Sequence, residues 1–124
     1  MNKSGIIEML KNYNFYKSRR VLLEKQLNKK KEMDYACKAY DPDSGNELES
    51  ELSVLEYKID TVDTCLKLTG EYNERYKSIV ESHYFYNVRI EDIADMNHIC
   101  RSRCYELCNE AVAYMTRIIC GKVS

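Results

Sequence analysis

The chain has 124 residues, enough for one compact domain or a small domain with a helical appendage, and too few for a (β/α)8 barrel or a complete dinucleotide-binding fold. Its 19 Lys and Arg stand against 20 Asp and Glu, and a formal charge of −1 argues against coating nucleic acid by charge alone. Hydrophobic residues make up 44% and charged ones 31%, so the composition is not that of a disordered chain, and four Gly with one Pro leave few points where a helix must break.

The chain opens Met-Asn-Lys-Ser-Gly, followed by one apolar pair, Ile6-Ile7. Neither a signal-peptide core nor a run of about 20 apolar residues follows, so a cytoplasmic protein that does not enter a membrane is expected. The six cysteines (37, 65, 100, 104, 108 and 120) are then expected as thiols in a reducing compartment.

From about Gly5 to Tyr40 the spacing predicts one helix, with Met9, Tyr13, Tyr16, Leu23 and Leu27 on its apolar stripe, Arg20 filling the gap and Cys37 further on. Lys11, Lys17, Arg19, Lys25 and Lys29 form its polar face. Asp41-Pro42-Asp43-Ser44-Gly45-Asn46 is the concentrated turn signal, and Ser44 with Glu47 fits a capping box. Leu48, Leu52, Leu55, Ile59, Val62 and Leu66 then recur at intervals of 4-3-4-3-4. Neither helix can bury its stripe alone, which predicts a long antiparallel helical hairpin. Residues 1–41 hold ten Lys/Arg and five Asp/Glu, net +5, whereas 42–70 hold two and seven, net −5. Opposite charge beside the seam favours that pairing, at about 0.2–1 kcal/mol for an exposed pair. A phosphate-binding role is the rival reading of the basic first helix.

Gly70 is expected to end or bend the second helix. Three shorter helical pieces follow. The first covers about Glu71 to Phe85, with Tyr72, Tyr76, Ile79, Val80 and His83 at helical spacing. Residues Tyr86 to Arg89 read as a connection, Ile90 to Met96 as a helix of two turns, and Asn97-His98-Ile99 as a tight turn. A long helix then runs from about Cys100 to Cys120, with Gly121 placed to terminate it. The expected organisation is all-α: a hairpin over 1–69, serving oligomerisation or a partner, and a three-helix helix-turn-helix domain over 70–124.

The chemistry concentrates in IEDIADMNHICRSRCYELCNE, Ile90 to Glu110. A helix-turn-helix needs a small residue where its second helix crosses the first, and Ala94 supplies it beside Ile93. It needs an apolar residue after the turn, Ile99, and inward residues along the second helix, Cys104 and Leu107. Arg101, Ser102, Arg103, Tyr105 and Glu106 are left facing outward, and short polar and cationic side chains there suit base edges and phosphates in a major groove. Two positions depart from the pattern. His98 occupies a common glycine position, although His tolerates left-handed backbone, and Asn97 stands where an apolar residue is usual, with Met96 one place early.

The order of a helical hairpin, then YKSIVESHYF, then IEDIADMNHICRSRCYELCNEAV resembles the small phage late-gene transcription activators of the RinA/ArpU kind, whose C-terminal half is similar to region four of bacterial sigma factors. His83-Tyr84-Phe85, the pair Ile93-Ala94 and Ala111 carry the likeness, and its motif-bearing part runs from Tyr76 to Val112. The resemblance implies binding of double-stranded DNA near a promoter with contact to RNA polymerase, through Arg101, Ser102, Arg103, Tyr105 and Glu106. Cys100 matches a position where such proteins often carry a capping Ser or Thr, and a thiol is a poor cap.

Other chemistry finds less support. His98, Cys100, Cys104 and Cys108 invite a metal reading, but a complete site needs about four converging ligands and no second Cys or His pair is at hand. Cys104 also fits the core stripe of the last helix, through Leu107, Ala111, Tyr114 or Met115, and Ile118. Eleven tyrosines could stack on single strands, yet Tyr13, Tyr16, Tyr72 and Tyr76 lie on apolar stripes, and Tyr84, Tyr86 and Tyr105 stay unassigned. No phosphate-binding loop or catalytic constellation is visible, so neither an enzyme nor a cofactor is expected. A DNA-binding regulator acting as a homodimer is the expected function. The alternative is a helical coiled-coil interaction protein without DNA binding.

Overall fold

The computed structural model describes residues 2–37 and 42–121, without the side chains of 33–37 and 42–46. Among the described residues every element is helical: α1 (Lys3–Lys11), α2 (Tyr13–Cys37), α3 (Pro42–Tyr72), α4 (Glu74–Val80), a π-helical turn (Glu81–Phe85), α5 (Ile90–Met96) and α6 (Arg101–Cys120). The chain divides into two compact units, residues 14–60 and residues 1–13 with 61–124. The boundaries of these units fall within α2 and α3. Among the described residues no helix is long and apolar enough to cross a membrane.

The expected first helix is in fact two. Asn12, with φ −97° and ψ 3°, interrupts it between α1 and α2, and its N–H still donates to the Glu8 carbonyl. Neither Pro nor Gly marks the break. Asn is a weak helix former because its side chain competes for nearby backbone groups. Helix α3 starts at Pro42, earlier than a capping box at Ser44 and Glu47 would put it. Proline suits a first helical position, where its missing N–H costs nothing. The side chains of Ser44 and Cys37 lie outside the described residues, as does Asp41.

In residues 14–60, Leu23 and Leu27 of α2 and Leu55 and Ile59 of α3 are buried, while Tyr16, Arg20, Leu48 and Leu52 are half-buried. Each fully buried Leu or Ile contributes about 1.5–3 kcal/mol. Arg19 grips Glu51 through two hydrogen bonds, Nε to Oε1 at 2.8 Å and Nη2 to Oε2 at 3.1 Å. That bond holds the Glu51 carboxyl below the usual carboxylate range. Lys58 Nζ lies 5.1 Å above the Tyr16 ring. Arg19 and Tyr16 of α2 thus meet Glu51 and Lys58 of α3.

The unit formed by 1–13 and 61–124 has the larger core. Ile6, Met9 and Leu10 of α1 pack toward α6 and the π-helical turn. Val62, Cys65, Leu66 and Thr69 of α3 are buried, and the Thr69 hydroxyl donates to the Cys65 carbonyl at 2.7 Å. Gly70 does not end α3, which runs on to Tyr72. A Cβ at Gly70 would come within 2.7 Å of Lys77 Cδ, so this glycine marks a close approach. Asn73 makes the break, its side-chain oxygen accepting from the Arg75 N–H at 3.1 Å to cap α4. Tyr72 is 63% exposed, not on the apolar face, and stacks on Tyr114 with centroids 4.3 Å apart.

The piece expected as one helix over 71–85 changes pitch at Glu81. The Tyr86 N–H reaches back to the Glu81 carbonyl at 3.1 Å and the Val88 N–H to Ser82 at 2.9 Å. Asn87, at φ 55°, turns the chain out. Tyr13 stacks on Phe85 with centroids 4.4 Å apart, and its hydroxyl donates to Asp63. His83 Nδ1 lies 3.1 Å from the Val88 carbonyl, a contact that requires the proton on Nδ1.

Candidate nucleic-acid interface

Helix α5 begins at Ile90 with Glu91 and Asp92 in its first turn, where carboxylates complement the helix dipole. Arg89 pairs with Asp92, Nε to Oδ2 at 3.2 Å. Ile90, Ile93 and Ala94 are buried against Ile79, Cys104, Leu107 and Cys108, with Tyr76, Tyr84, Val88 and Ile99 packed around them. The 2% exposure of Ala94 explains its size. A larger side chain there would enter the space of α6.

The turn closes as a Schellman motif. The Ile99 N–H donates to the Ala94 carbonyl at 3.0 Å and the His98 N–H to Asp95 at 3.3 Å, with His98 left-handed at φ 55°. Ile99 and Ala94 supply the apolar contact that accompanies this closure. Asn97, the departure from the apolar pattern, turns its Nδ2 to the Ile93 carbonyl at 2.8 Å and so satisfies an acceptor at the helix end. Met96 is 62% exposed.

Cys100 occupies the N-cap of α6, exposed and without a side-chain capping bond. Beyond it Arg101, Ser102, Arg103, Tyr105 and Glu106 are exposed, whereas Cys104, Leu107, Cys108, Ala111, Val112 and Met115 are buried. The helix ends at Gly121, left-handed at φ 70°, with its N–H on the Arg117 carbonyl.

The two cations of this face are engaged within the chain. Arg101 Nε lies 3.3 Å from Glu91 Oε1 across the turn, and its guanidinium sits 5.6 Å above the Tyr105 ring. Arg103 Nη1 bonds Glu106 Oε2 at 3.0 Å and Glu110 Oε1 at 3.5 Å. The Glu106 bond, before the other contributions, raises the Arg103 pKa above its usual value. Glu106 and Glu110 follow Arg103 by three and seven residues, so spacing alone puts them on its side. The Glu91 contact depends on how α5 crosses α6 and has no local sequence signal. Nor does the bond from the Tyr76 hydroxyl to Glu110 Oε2, at 3.0 Å.

No disulfide links Cys65, Cys100, Cys104, Cys108 and Cys120, and no group of three metal-ligating side chains gathers among the described residues. Cys104 and Cys108 serve as small apolar residues, and burial raises both thiol pKa values. Tyr84 packs on the same cluster, its pKa pushed up to about 12 by burial first and by Cys108 second. Tyr86 is exposed, and Tyr105 is 42% exposed under Arg101.

Comparison with protein-family models, curated proteins and solved structures finds no match to this chain.

Proposed function

We propose that this protein is a sequence-specific DNA-binding transcriptional regulator, an activator of the phage late-gene kind acting near a promoter with RNA polymerase. In this reading α2 and α3 form a helical hairpin used for oligomerisation or a partner, and α4, α5 and α6 form a helix-turn-helix domain. One observation carries it: the first two turns of α6 present Arg101, Ser102, Arg103, Tyr105 and Glu106 outward while Cys104 and Leu107 anchor the opposite side beside Ala94. A long helix with such an exposed first turn, set by a four-residue connection from a short helix, suits insertion into a major groove. Cys100 belongs to the same face, where its N–H would meet a phosphate. A second copy of the chain extends the contact over two half-sites, in the cytoplasm of a bacterial cell or infected host.

The paired state of Arg101 and Arg103 favours a second reading, a helical interaction protein whose ion pairs only stabilise its surface. Electrophoretic mobility of duplexes drawn from the DNA around its own gene, at low and rising salt, separates the two. The regulator retards one or more of these duplexes and loses affinity as salt rises. The interaction protein retards none at low salt.

A further inference from the structure

Arg103 is restrained more than an exposed arginine needs to be. Both of its carboxylate partners bond the same nitrogen, Nη1. Neither bond uses the Nε–Nη2 edge. That edge matches the O6 and N7 atoms of guanine in a major groove. Glu110 is itself fixed: its Oε1 faces Arg103, while its Oε2 accepts the Tyr76 hydroxyl at 3.0 Å. Tyr76 comes from α4 and is half-buried, its ring tilted against Tyr72 with centroids 6.1 Å apart. Tyr72 in turn stacks on Tyr114 of α6. A chain of side chains from α4 therefore ends on one guanidinium of α6.

A carboxylate beside a DNA-facing arginine weakens attraction to phosphate, since it repels the same charges that the arginine attracts. It also removes freedom that the arginine would otherwise lose on meeting a base. The first effect is independent of sequence, and the second acts on one base contact. We propose that Glu110, anchored by Tyr76, is a positioning residue that orients Arg103 to read a single guanine, setting base preference at the expense of general affinity. This inference rests on the DNA-binding reading above.

The test is selection of bound duplexes from a random pool by the full chain, followed by affinity measurements on the selected site and on a version changed at one base. Arg103→Ala identifies the base, because preference there alone disappears. Tyr76→Phe carries no change of charge and leaves affinity for unselected DNA within about twofold of the parent, while discrimination at that one base falls roughly tenfold. Glu110→Gln loses the same preference and binds unselected DNA more tightly. A merely structural loss would lower affinity for every sequence together, and melting of each variant checks its fold. Retention of the parent's preference by both Tyr76→Phe and Glu110→Gln overturns the inference. So does an Arg103→Ala variant with no position lost, although DNA binding then stands. A parent chain that selects no sequence removes the DNA-binding reading and this inference with it.

Discussion

His98 is the residue where the turn works against its own sequence. The Schellman closure needs a left-handed residue between Met96 and Ile99, and His98 occupies it at φ 55°. A Cβ in that region costs about 1–2 kcal/mol, partly offset by the smaller freedom of a non-glycine residue in the unfolded chain. His98→Gly is therefore expected to stabilise the fold by about 0.5–1 kcal/mol, measured by urea unfolding. A loss of stability would mean that the imidazole makes a contact outweighing the strain. Buried titrating groups give a second expectation. Burial pushes Cys65 from 9.0 up to about 11 and Tyr84 from 10.0 up to about 12. Both raise the pKa of the folded state, so their stabilisation is complete below the unfolded values and is lost as pH rises through the folded ones. Unfolding midpoints should fall between about pH 9 and 12, and Cys65→Ala should flatten the part below about pH 11. Identical slopes for the parent and the variant would contradict this.

At the scale of elements, the segment from Ile90 to Gly121 was the most legible. Ile90, Ile93 and Ala94 mark one short apolar face, and Gly121 provides the left-handed end that the sequence pattern required. The pattern of exposure along the start of α6 was legible for the same reason: one buried position, Cys104, divides the exposed ones. Its restraint by Glu91 and Tyr76 was not, because both contacts cross between helices. The breaks at Asn12 and Asn73 were also hidden: the Asn73 side chain caps α4, whereas Asn12 breaks the helix through its backbone, and asparagine elsewhere in these helices interrupts nothing. Gly70 misled in the opposite sense, lying inside α3 beside the Lys77 side chain and ending no helix. The π-helical turn at Glu81–Phe85 has no compositional mark at all. Asn73→Ala removes the cap of α4 and should cost about 1 kcal/mol in urea unfolding. No change would assign the break between α3 and α4 to packing instead.

For the whole molecule, the charge separation between 1–41 and 42–70 largely cancels within a single unit. Residues 14–60 hold nine Lys/Arg and ten Asp/Glu, and residues 1–13 with 61–124 hold ten of each. Neither unit carries the excess of cations that would bind nucleic acid without regard to sequence. On the proposed reading, affinity must come from few contacts, which makes Arg101 and Arg103 decisive and a second copy of the chain valuable. The most direct measurement is the affinity of the full chain for its selected duplex, compared with Arg101→Ala and Arg103→Ala. Each substitution is expected to weaken binding roughly 5- to 150-fold without lowering the unfolding midpoint. Unchanged affinity in both variants, or no bound duplex at low salt with the parent chain, would contradict the proposal that this helix reads DNA.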